Sequence, residues 1–91
     1  MTKDNTADQT LSNQFLDYLW LEKGLSDNTL KAYKTDLNSF IDYLHQQDES
    51  VLSCNELSIE TYIGHRLDLG LKPRSNARCL SAIKRFFKYL L

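Results

Sequence analysis

Apolar positions recur at helical spacing in four stretches, and nowhere do they alternate with the two-residue period of a strand. The clearest stretch covers residues 26–47. Leu30, Tyr33, Leu37, Phe40, Ile41 and Leu44 mark one continuous stripe, Ser26 is a good N-cap, and Asp27 sits at the positive end of the helix. A helix over 11–23 precedes it and stops at Gly24. Its face of Phe15, Tyr18 and Leu19 is widened by Leu16 and Trp20, which implies either contacts on two sides within the fold or an exposed patch for a protein partner.

Residues 46–58 are polar and rich in capping residues, and read as a connection with a short turn. A third helix over 59–69 follows, with Ser58 as its cap and Ile59, Tyr62, Ile63 and Leu67 turned inward. Gly64 inside it suggests the close approach of another backbone, and Gly70 ends it. The fourth helix starts at Pro73, which suits a first turn, behind Lys72, a poor cap. Leu80, Ile83, Phe87 and Leu90 share one side of it, flanked by Cys79 and Phe86. Residues 1–10 carry no periodic pattern and read as a flexible tail before a domain over 11–91. Four helices with short links predict an all-α fold, a compact four-helix bundle.

Charge changes this picture. The last twenty residues hold six of the eleven basic side chains and none of the twelve acidic ones, while the whole chain has a net charge of −1. A basic segment beside an acidic body points to a polyanion-binding surface. On the fourth helix Arg74, Arg78 and Arg85 fall in one narrow sector, with Ser81 and Lys88 beside them. Two readings stand: a solvated face on a core helix, or an arginine face that grips phosphate while Ser81 and Ala82 leave room for close approach. The outer side of the second helix carries Asn28, Lys31, Thr35, Asn38 and Asp42, with Lys34 at its edge, and it could lie beside the basic helix to straddle a duplex.

Other chemistry is missing from the pattern. There is no Gly-rich phosphate loop, zinc-ligand spacing, GxSxG or Cys/His pair, so no metal site, cofactor or catalysis is expected. Cys54 and Cys79 read as free thiols. The five tyrosines read as packing or surface groups; Tyr43, on the outer side of the second helix, has no activating cluster near it. Ninety-one residues make one domain. No apolar run reaches the roughly 18 residues of a membrane span, and the N-terminus lacks the apolar core of a signal peptide, so a soluble, cytoplasmic domain with no membrane partner is expected.

The run FLDYLWLEKGLSDNTLKAYKTDLNSFIDYL over 15–44 resembles the N-terminal core-binding domain of tyrosine site-specific recombinases, and within them the XerD subgroup. Leu19 to Ser26, Asn28 to Leu30, Ala32-Tyr33 and Asp36-Leu37 carry the likeness. Arg74-Ser75, Ala77-Arg78, Leu80-Ser81-Ala82, Arg85 and Phe87 match the same domain's last helix. The resemblance implies a SAM-like four-helix bundle that forms half of a clamp on a recombination core site, with the second and fourth helices toward double-stranded DNA. It also implies a catalytic domain lying beyond Leu91, a related recombinase subunit as partner, and a role in chromosome dimer resolution. An integrase of a phage or mobile element and a helical protein-interaction module docking at Leu16 and Trp20 are the alternatives. The residues expected to meet DNA are Asn28, Lys31, Lys34, Thr35, Lys72, Arg74, Ser75, Arg78, Ser81, Arg85 and Lys88. Arg78→Ala is expected to weaken binding with the helix intact.

Overall fold

The computed structural model describes residues 6–91, which form four helices: α1 (Thr6–Lys23), α2 (Asp27–Gln46), α3 (Glu56–Asp68) and α4 (Pro73–Leu90). The fold is the all-α four-helix bundle that the periodicity implies, and it agrees with the SAM-like architecture that the resemblance implies. α1 packs chiefly on α2, and α4 packs on both α2 and α3. Between them lie Phe15, Leu37, Phe40, Ile41, Leu44, Ile83 and Phe86, all shut from solvent. Each such side chain contributes about 1.5–3 kcal/mol by leaving water. Phe15 meets Phe86 at 5.2 Å between ring centres, and Phe40 meets Tyr62 at the same distance, so the two aromatic pairs tie α1 to α4 and α2 to α3.

Local chemistry sets the ends of the helices. Ser26 caps α2 as expected, its side chain accepting the Thr29 N–H at 3.2 Å. α3 ends in a Schellman motif: Gly70, at φ +78°, donates to the Leu67 carbonyl at 2.9 Å, and Leu71 donates to that of Arg66 at 3.3 Å. α2 closes in the same way, with Asp48 in the left-handed conformation at φ 62°. α4 starts at Pro73 behind Lys72, which makes no side-chain cap bond.

The structure corrects several expectations. Residues 6–10 are not a tail; they are the first turns of α1, anchored by Asp8, which is buried. Residues 1–5 of the expected tail lie outside the described residues. α3 begins at Glu56, with Asn55 as its cap, because Asn55 and Ser58 bond reciprocally: Asn55 Oδ1 accepts the Ser58 N–H at 3.0 Å and Ser58 Oγ accepts the Asn55 N–H at 3.3 Å. Leu67 is exposed, and Arg66 turns inward in its place, where Asn76 and Tyr62 take its donors. A Cβ placed on Gly64 would meet nothing within 4 Å, so no backbone crosses there. Tyr43 is half-buried against Tyr62 and His65, because α3 covers it.

Candidate nucleic-acid interface

The buried side of α4 is centred on Cys79, Ala82, Ile83 and Phe86, with Leu80, Phe87 and Leu90 only half-buried at its margin. Ala82 is thus core, and the small groups on the exposed side are Ala77 and Ser81. Lys72, Arg74, Arg78, Lys84, Arg85 and Lys88 are exposed, and Ser75 is half-buried. No acidic residue interrupts this surface of α4.

Two of its arginines lean on α2. Arg78 donates from Nε to Asp36 Oδ2 at 2.8 Å and from Nη2 to Oδ1 at 2.9 Å, a two-pronged ion pair. The Asp36 side chain is 2% exposed and that of Arg78 is 43% exposed. The hydrogen bond to this carboxylate pushes the guanidinium pKa of Arg78 further up. Arg85 donates from Nη1 to the Tyr33 hydroxyl at 3.4 Å. Arg78 is therefore a structural strut as well as a surface cation. Its removal would strand a buried carboxylate, so Arg78→Ala is expected to lower stability as well as to weaken binding.

Sequence reasoning missed Asp36 as a functional partner. Its signal was there: a carboxylate in the apolar stripe of α2, between Tyr33 and Leu37, needs a cation to face it.

The α2 residues expected at DNA split into two groups. Asn28 and Thr35 are exposed on the outer side of α2, and the Thr35 hydroxyl donates to the Lys31 carbonyl at 3.2 Å. Lys31 and Lys34 lie about 140° and 160° round the helix from Asp36, and so on the edge away from α4. There they line a groove of about 420 Å³ between α1 and α2, with Leu16, Asp17, Trp20 and Leu30. Lys31 pairs with Asp27 at 3.1 Å, but both side chains are exposed, so the pair is weak and exchangeable. Trp20 is 54% exposed and Leu16 half-buried, which leaves the apolar groove open. The structure thus brings Arg74, Arg78, Ser81, Arg85 and Lys88 onto one helix face and sets Lys31 and Lys34 apart from them.

One basic residue was overlooked. Lys23 closes α1 beside Arg85 and Lys88 in a second groove of about 500 Å³, lined also by Phe15, Tyr18, Leu19 and Tyr89. Its Nζ stands 6.0 Å from the centre of the Tyr18 ring. The sequence signal was only a lysine in a last helical turn, an ordinary place for one.

Among the described residues there is no cluster of His, Cys, Asp and Glu that could hold a metal, and no helix is long and apolar enough to cross a membrane. Burial pushes the Cys54 and Cys79 thiols up to about 11, so neither is a ready nucleophile at neutral pH.

Comparison with known proteins defines the class. Residues 12–91 match the phage integrase N-terminal SAM-like domain, and the chain belongs to that family. Among its relatives are proteins named tyrosine recombinase XerD. That of Pseudomonas putida is 49% identical over 84 residues, covering 92% of this chain and 28% of the relative. That of Proteus mirabilis is 44% identical over 91 residues, covering 98% of this chain and 29% of the relative. The chain thus spans under a third of the length of the curated relatives it matches. No solved structure gives a significant match.

Proposed function

We propose that this chain is the DNA-binding arm of a XerD-like tyrosine recombinase, which holds double-stranded DNA at a recombination core site during strand exchange in chromosome dimer resolution. The observation that carries the reading is the exposed face of α4, where Arg74, Arg78, Arg85 and Lys88 stand with no acidic residue on the helix, on a chain of this family. Lys72, Arg74, Ser75, Ser81, Arg85 and Lys88 are the groups suited to phosphate, and Asn28 and Thr35, exposed on the outer side of α2, are further polar contacts on this reading. Lys31 and Lys34 meet a neighbouring stretch of backbone across the outer side of α2. Catalysis belongs, on this reading, to another domain of the recombinase, and a related recombinase subunit occupies the other half of the site.

The open groove at Leu16 and Trp20 favours a second reading, a protein-interaction module. Chemical-shift mapping with a duplex separates the two. The DNA reading expects perturbation from Arg74 through Lys88 and at Asn28, Lys31, Lys34 and Thr35, whereas the protein-interaction reading expects a duplex to leave these signals in place and a protein partner to move Trp20. A duplex that moves none of these signals overturns the DNA reading.

A further inference from the structure

We propose that Arg78 reads a guanine in the major groove and that Asp36 is the positioning residue that aims it. The inference rests on the DNA-binding reading above and goes beyond phosphate contact. Asp36 occupies one edge of the guanidinium, the edge formed by Nε and Nη2. The end edge, Nη1 with the outer N–H of Nη2, donates to no described residue, and the side chain is 43% exposed while its holder is buried.

A planar fork held in this way presents two parallel donors in a fixed direction, with little freedom left to lose on binding. Phosphate oxygens accept from many directions and do not need such aim; Lys72, Arg74 and Lys88, which have no side-chain partner among the described residues, suit them better. In the major groove, guanine offers O6 and N7 as two acceptors matched to such a fork, whereas adenine puts an amino donor where O6 would be. The small exposed residues Ala77 and Ser81 beside Arg78 let α4 come close enough for the fork to reach a base edge.

The test selects bound sequences from a randomised duplex pool with the 91-residue chain and with Asp36→Asn. The native chain is expected to fix guanine at one position. Asp36→Asn is expected to lose that preference while binding duplex at least as tightly overall, since it carries one negative charge fewer. Replacing the selected guanine by 7-deazaguanine, which lacks the N7 acceptor, alters only the DNA and decides the matter even if Asp36→Asn does not fold. It is expected to weaken native binding about tenfold. Duplex binding with no base preference, indifference to 7-deazaguanine, or an unchanged preference in a folded Asp36→Asn would each overturn the inference and leave the DNA-binding reading standing. A native chain that binds no duplex at low salt would overturn both.

Discussion

Asp36 and Asp8 are both carboxylates carried into the interior on a helix, and they are held in opposite ways. Asp36 faces one arginine across the α2–α4 seam, and that arginine remains 43% exposed. Asp8 faces inward: it accepts the Val51 N–H at 3.0 Å and contacts His45 Nε2 at 2.8 Å, where both partners are largely covered. The first pair hands a fixed cation to the surface. The second turns its Oδ2 inward, closing α1 onto the end of α2 and the connection after it. Equal burial of the same residue type thus marks a functional surface in one place and a structural joint in the other, and the exposure of the partner tells them apart.

The largest effect is expected at the first pair. Arg78→Ala leaves Asp36 buried without its counter-charge and should cost about 3–4 kcal/mol, read from denaturant unfolding. The double change Asp36→Leu with Arg78→Met should recover most of that stability yet still bind duplex more weakly, which separates the strut from the surface cation. If stability and binding return together, Arg78 acts only through the fold.

Alkaline pH sharpens the same seam. Arg78 stays charged there because its pKa is raised, whereas Cys79, next to it in sequence and fully buried, is pushed by burial from its ordinary value of 9.0 to about 11. Below pH 9 the thiol is protonated in both states. Between about 9 and 11 the unfolded chain gives up the proton and the folded chain keeps it, so stability should fall as pH rises, by roughly 2–3 kcal/mol. Comparing the slope with that of Cys79→Ala, which should lack this component, checks the assignment.

At the inward pair, Asp8→Ala strands the Val51 N–H and should cost about 2 kcal/mol, with faster hydrogen exchange at Val51. Duplex binding should be unchanged, and this is the contrast with Arg78. The smallest effect lies away from both pairs. Gly64→Ala, in an open helical position, should stabilise the fold by about 0.5–1 kcal/mol in thermal or denaturant unfolding.

Much of this architecture could be read from the chain because local chemistry agrees with the fold. Ser26, Gly24, Gly70 and Pro73 mark ends that the structure keeps, and the stripe from Tyr33 to Leu44 is the core of the bundle. What stayed hidden depends on distant partners. Asp8 belongs to a polar run whose burial is decided by Val51 and His45, roughly forty residues away. Asn55 was one of several neighbouring residues able to cap α3, and only backbone geometry selects it. Of the candidate site, the basic face of α4 was visible through its charge. The arrangement around it was not: periodicity says which residues share a face, but not that Arg78 would be locked on Asp36 or that Lys31 and Lys34 would border α1.

The most direct measurement is the salt dependence of duplex binding by the chain. With about three to five phosphates neutralised, log K against log salt should fall with a slope near −3 to −4.5. A flat dependence, or no binding at millimolar protein, would contradict the account.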